Sequence, residues 1–209
     1  MGCDIHGLIE VNWYGKYEDN YEEGKEPVDW KCAIDNIGFW VGRSYDTFGL
    51  LFGIRNYANF DPVAPKRGIP EESSERLDDR LDPYREENRI GAVSCHSHSY
   101  LTLKELNEID WEQTTEKEDS RIRIYNEDDE LQMKAAQIGS LSDEEVQRIE
   151  DGEEVVKEGS DGEVRKYRRE KMKKEDALSG AWEKLIEQME MFGETYGEEN
   201  VRLVVWFDN

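Results

Sequence analysis

The chain has three histidines, and all of them fall in two short motifs, CDIH at residues 3–6 and CHSHS at 95–99. Imidazole changes charge near neutral pH and is the commonest protein ligand for zinc-like ions. Asp4 and His6 from the first motif, His96 and His98 from the second, and Asp208 in the last segment make a mixed nitrogen and oxygen donor set. Such a set suits a divalent zinc, manganese or iron ion and leaves positions open for water or substrate. A bound ion would generate a hydroxide nucleophile; without it, His6 or His96 is the candidate general base. The spacing is less specific than a Cys-x-x-Cys pair, because His6 and His96 are far apart in sequence. A strand histidine bonded to a neighbouring carboxylate is the structural alternative, and from the residues alone both stay open.

A second constellation is basic. Arg43, Arg55, Lys66 and Arg67 lie in 39–69, where the acids are Asp46 and Asp61. With Tyr45, Asn56 and Ser97, the arginines Arg43, Arg55 and Arg67 could orient a phosphate or carboxylate, since guanidinium forks match those anions. The alternative is that these arginines bridge surface acids, which are plentiful here. Cys3 and Cys95 flank the histidine motifs and invite a zinc-thiolate reading. In extended geometry, however, they point away from His6 and His96, which favours buried structural cysteines. The sequence lacks a Gly-x-Ser-x-Gly elbow, a phosphate-binding loop and a dinucleotide fingerprint. Neither His6-Gly7-Leu8 nor His96-Ser97-His98 fits a two-histidine phosphoesterase motif.

These residues need elements to hold them. Residues 3–13 alternate as a strand, with Cys3, Ile5, Ile9, Val11 and Trp13 on one face and Asp4, His6, Leu8 and Glu10 on the other. Residues 201–209 form a second strand, apolar on both faces and therefore expected inside a sheet covered on both sides. Asp208 shares a face with Val204 and Trp206, and antiparallel pairing of the two strands would bring it to Asp4 and His6. Between them, 17–31 reads as an acidic loop or weak hairpin, 33–42 as a short bent strand, and 45–57 as a helix. A Pro/Gly loop at 59–70 and a charged helix at about 71–89 follow. Residues 95–106 pass from an extended piece carrying both histidines into a helix capped by Thr102 and Glu105. Thereafter 120–125 is strand-like, Ser142 and Glu145 cap another helix, 155–167 is a hairpin, and about 175–193 is an amphipathic helix.

Composition bounds the function. At 209 residues the chain suits one domain. The net charge of -23 argues against direct nucleic-acid binding, which needs clustered Lys and Arg, and leaves room for an acidic DNA mimic. Three cysteines without framework spacing suit a reducing cytoplasm. Nothing approaches the roughly 20 apolar residues of a membrane span. Asp4 so near the start argues against a signal peptide.

Taken together, MGCDIH, RSYDTFGLLFGIRN, PVAPKRGIP, HSHSYLTLKEL and VRLVVWFDN resemble an uncharacterised family common in bacteriophage and bacterial genomes. Its members start MG-x-DIH and end in a strand running into Asp-Asn. The resemblance covers most of the chain outside 116–174, and Asp4, His6, His96 and the 97–103 stretch match its steadiest positions. It carries no activity; it implies a shared site and a phage-linked setting in the host cytoplasm.

The expectation is an α+β (mixed α/β) single domain. Residues 1–115 and 175–209 form the core around a sheet that contains the first and last strands, and 116–174 form an acidic, charged peripheral excursion. The expected function is a small phage-type enzyme, a metal-dependent or histidine-based hydrolase or phosphoesterase acting on a nucleotide-like or phosphorylated small molecule. The alternatives are a non-catalytic protein that sequesters a nucleotide or inhibits a host defence protein, and an acidic DNA mimic.

Overall fold

The structure, a computed structural model, describes residues 2–14, 28–85, 95–159 and 162–208, with the side chains of 82–85 left aside. In chain order the elements are β1 (Asp4–Asn12), β2 (Trp30–Ile34), α1 (Gly38–Val41), α2 (Tyr45–Phe52), α3 (Glu75–Arg85), β3 (His96–Thr102) and α4 (Leu103–Asn107). There follow β4 (Ile122–Tyr125), β5 (Leu131–Ala135), α5 (Asp143–Glu150), β6 (Val155–Glu158), β7 (Val164–Arg168), α6 (Gly180–Tyr196) and β8 (Val201–Asp208).

The alternation in β1 and the double-sided hydrophobicity of β8 put both strands in the middle of one antiparallel sheet, ordered β2-β1-β8-β3. The two central strands pair without interruption, from Asp4 opposite Asp208 to Val11 opposite Val201. One face, carrying Ile5, Ile9, Leu203, Val205 and Phe207, packs on α2, α4 and α6. There Phe207 meets Phe48 and Phe52 edge-on, with centroids 5.3 and 5.8 Å apart, the preferred aromatic geometry. The other face, with Leu8, Val204 and Trp206, is covered by Leu77 and Leu81 of α3.

Residues 122–168 fold into a second antiparallel sheet, ordered β5-β4-β7-β6. It has a small core of Ile122, Ile149, Val155 and Tyr167. The excursion is tied to the main domain at the first turn of α2, where Asp46 accepts from Arg121 at 2.5 Å and Lys134 at 2.9 Å. Asp119, fully buried, takes the other side of Arg121. The whole is a mixed α+β domain, with the first and last strands in the central sheet and a charged excursion at its edge.

Several boundaries differ from the sequence reading. The helix expected over 45–57 stops at Phe52, because Gly53 takes a left-handed conformation (φ 71°) that caps it. The strand expected over 33–42 ends at Ile34, and Gly38–Val41 turn into α1. Trp13 is 40 % exposed beyond the end of β1 and touches the ring of Tyr196. Strand β5 has no counterpart in the sequence reading. Both capping boxes form as the spacing predicts. Most of the 17–31 segment and the end of the 71–89 helix lie outside the described residues. No helix among them is long and apolar enough to cross a membrane.

On the α3 face a charged pair sits inside the sheet. Glu10 is fully buried opposite Arg202, which is 6 % exposed. The guanidinium donates to Glu10 at 2.6 and 2.8 Å and lies 3.6 Å from the centre of the Trp30 ring. Ser74 donates to the same carboxylate through both N–H and O–H, at 2.8 and 2.6 Å. A buried pair is costly to break from one side, because the survivor is left charged without compensation. Arg202→Ala is expected to destabilise the fold by about 3–5 kcal/mol in urea unfolding followed by circular dichroism. A loss within about 1 kcal/mol would show that Glu10 is relieved by other means.

Candidate functional site

The antiparallel register starts β1 and ends β8 at the same edge of the sheet, so Asp4 and Asp208 stand directly opposite one another. Like charges in that position repel, and each carboxylate has a partner of its own. Arg43, from the stretch between α1 and α2, grips Asp4 with two hydrogen bonds of 2.5 and 2.7 Å. His6 points its Nε2 at Asp208 Oδ2 across 3.1 Å. The His6 ring also stacks on Trp206, directly across the strand, with centroids 6.0 Å apart and planes 16° from parallel. The Asp4 carboxyl is held below the usual carboxylate range, first by the Arg43 hydrogen bonds and then by the charges of Arg43 and His6, against partial desolvation.

Beneath this pair lies Cys3, 1 % exposed, whose backbone N–H donates to the Tyr45 hydroxyl at 3.1 Å. Burial pushes its thiol pKa up; the Arg55 charge opposes the rise, and Asp208 and Asp4 add to it. Burial and the raised pKa suit a structural cysteine better than a reactive one. Arg55 itself occupies a left-handed position (φ 51°) just past α2.

In front of Asp4 and His6 opens a cleft of about 390 Å³, closed on its far side by Asn36, Phe39 and Gly42. Its wall is pinned to β1. Ile37 N–H donates to Gly7 O at 3.0 Å, and a side chain at Gly38 would run into the Ile5 carbonyl. This close approach sets α1 at the rim and leaves Phe39 95 % and Trp40 63 % exposed. The sequence reading missed both aromatics. The signal was present in Asn36-Ile37-Gly38, a turn sequence ahead of two adjacent large rings that cannot both face one core.

In the second histidine motif, His96 lies at the same end of the sheet but on its other face. In β3 the register slips between His96 and Ser99, so that His96 stands opposite Phe207 and Ser99 opposite Val205. The extra residue is a bulge, with Ser97 at φ 55°. His96 consequently stacks on Phe207, at 6.4 Å and 24°, while His6 stacks on Trp206. Neighbouring strand residues point to opposite faces, so the sheet separates the two imidazoles. His96 Nδ1 pairs with Ser97 Oγ at 2.9 Å. Burial, and then the neighbouring His96, push the His98 pKa down.

Of the residues singled out in the sequence, Asp4, His6, Arg43 and Asp208 meet, with Tyr45 and Arg55 behind them around Cys3. His96, Ser97 and His98 form a separate group. Among the described residues, no three His, Cys, Asp or Glu side chains converge as a metal cage; Asp4 and His6 turn towards Arg43 and Asp208 instead. Arg67 and Asn56 act as staples. Arg67 donates to Glu105 at 2.7 and 2.9 Å and to the Val63 carbonyl at 3.1 Å. Asn56 closes a turn by exchanging two hydrogen bonds with the backbone of Phe60.

Because pairing lowers the Asp4 pKa, its stabilising effect is complete above the ordinary value of 3.8 and is lost as pH falls through the lowered one. In Arg43→Ala the Asp4 titration, followed by carboxyl carbon NMR, is expected to move up towards the ordinary value. An unchanged midpoint would show that Arg43 does not hold Asp4 in solution. No protein-family model, curated protein or solved structure matches the chain.

Proposed function

We propose that the chain is a small phage-type hydrolase acting on a phosphorylated, nucleotide-like small molecule, with His6 as general base. The observation that carries this reading is that His6, which lines an open cleft, is paired with Asp208 at 3.1 Å. A carboxylate accepting from Nε2–H fixes the imidazole tautomer and leaves the Nδ1 lone pair to take a proton from water. Asp208 also stabilises the imidazolium that forms. Asp4, which lines the cleft, accepts two of the five guanidinium N–H bonds of Arg43, which leaves Arg43 with donors for an anionic group bound beside Asp4. The flat face of Phe39 at the rim suits a planar ring such as a nucleobase.

A second reading is supported by the exposure of Phe39 and Trp40. Large aromatics displayed beside a cleft serve contact as well as chemistry, and a protein that sequesters a nucleotide or blocks a host defence protein would use the same surface without turnover. The two readings differ in product. Nucleoside mono-, di- and triphosphates and p-nitrophenyl phosphate esters, incubated with the protein, test them. Hydrolysis of at least one probe is expected, falling by about 10²–10⁴-fold in His6→Asn and also falling in Asp208→Asn. A thermal shift with nucleotide but no product would favour the binder. Turnover that survives in His6→Asn would overturn the assignment of the base.

A further inference from the structure

The far wall of the cleft is held by a cluster of charges that the hydrolase reading leaves unused. Asp35, just past β2, accepts from Arg76 at 2.5 and 2.7 Å and from Arg80 at 2.9 Å, both on α3. Burial opposes ionisation of Asp35, yet the hydrogen bonds from Arg80 and Arg76 outweigh it and keep its pKa below the ordinary value of 3.8. The same Nη2 of Arg80 donates to Asn36 Oδ1 at 3.0 Å. Asn36 is exposed and lines the cleft together with Asp4 and His6. We propose that Asn36 binds the ligand of the cleft, its side-chain amide oriented by Arg80 so that Nδ2 donates to an acceptor oxygen of that ligand. The inference rests on the reading of the cleft as a substrate site and names a residue that recognises the substrate there.

The orientation of the amide follows from its partner. A guanidinium has N–H donors and no acceptor, so the amide oxygen must be the atom that faces Arg80. Nδ2 is then turned away from that contact, and among the described residues no protein acceptor takes its two N–H groups. The backbone is fixed as well. Asn36 N–H donates to Asp35 Oδ1 at 2.7 Å, and the Asn36 carbonyl accepts from Phe39 N–H at 3.1 Å. Asn36 takes φ 58°, a left-handed conformation that asparagine tolerates better than most residues. A donor held in this way has little freedom left to lose on binding.

A donor-only amide also selects its partner. With Oδ1 engaged, Asn36 offers hydrogens to an oxygen and leaves an amino group without its usual acceptor. Asn36 shares the cleft with His6 and Phe39, and a nucleotide-like ligand carries two such oxygens, phosphoryl and ring carbonyl. Either source satisfies the same donor, and the two are separated by experiment. Arg80 touches Asn36 and not the ligand, so it is a positioning residue.

Isotope-labelled full-length protein, titrated with nucleoside 5′-monophosphates and followed by NMR, provides the test. The Asn36 side-chain amide signals, assigned by their loss in Asn36→Gly, are expected to shift on binding. Shifts with a nucleoside alone would identify the ring carbonyl as the partner, and shifts with inorganic phosphate alone the phosphoryl oxygen. Asn36→Gly suits the left-handed backbone and removes the donor; Asn36→Asp keeps the shape and the Arg80 contact but replaces the donor with an acceptor. Both are expected to weaken binding by about three- to tenfold, with circular dichroism unchanged. Where turnover is measurable, KM rises while kcat stays within about twofold. Arg80→Leu is expected to weaken binding similarly, whereas Arg76→Leu, which keeps the Arg80–Asn36 contact, binds close to wild type. Equal losses in the two arginine variants would make the cluster purely structural and overturn the role of Arg80. Ligand binding or hydrolysis with unmoved Asn36 signals and wild-type affinity in both Asn36 variants would overturn the proposal and leave the hydrolase reading standing. Absence of any shift at both Asn36 and His6 would overturn the two together. Turnover that survives in His6→Asn but keeps its dependence on Asn36 would remove the base and support the proposal.

Discussion

The pairing of β1 with β8 is the constraint on which everything else depends. It joins the first and last strands of the described chain in a single register, Asp4 to Asp208 and Val11 to Val201. A slip of one residue would exchange the two faces of a strand. Ile5 and Ile9 would leave the core shared with Phe48 and Trp182, and Glu10 would lose its position opposite Arg202. Because both faces of β8 are buried, such a slip would disrupt the packing on both faces at once. The same register sets His6 beside Asp208, so the candidate site follows directly from the packing of the fold.

Charge is handled in two ways. In the sheet, Glu10 and Arg202 face each other and are closed in by Ser74, Trp30 and the backbone of Glu72. At its end, Asp4 and Asp208 stay partly open, paired with Arg43 and His6, which keep some contact with solvent. The first arrangement specifies register through an interaction that is costly to break. The second keeps ionisable groups reachable, as acid–base chemistry requires. In the excursion, Arg168 bonds Asp129, Glu154 and Glu170, and Lys166 bonds Asp129. These pairs tie Asp129, Glu154 and Glu170 to the second sheet.

Part of this was legible in the sequence. Period-two alternation located the faces of β1 and β8, and Asp4, His6 and Asp208 could be grouped from that pattern once antiparallel pairing was assumed. The capping boxes at Thr102 and Ser142 were readable because they depend on spacing within one turn. The separation of His96 from His6 was not readable. It arises from a bulge at Ser97, and serine gives no sign of the left-handed conformation that glycine would have advertised. The staple roles of Arg67 and Asn56 were hidden likewise, because Glu105 and the Phe60 backbone reach them only through tertiary contact. Gly53 did carry a helix-stop signal, yet the apolar run of α2 and Ile54 beyond it argued for continuation.

The most direct test of the account is the register itself, read from interstrand nuclear Overhauser contacts in the labelled protein. Contacts are expected between strand partners such as His6 with Trp206 and Leu8 with Val204, together with His96 against Phe207. Contacts displaced by one residue, or a parallel arrangement of the two strands, would place His6 and Asp208 apart and contradict the site.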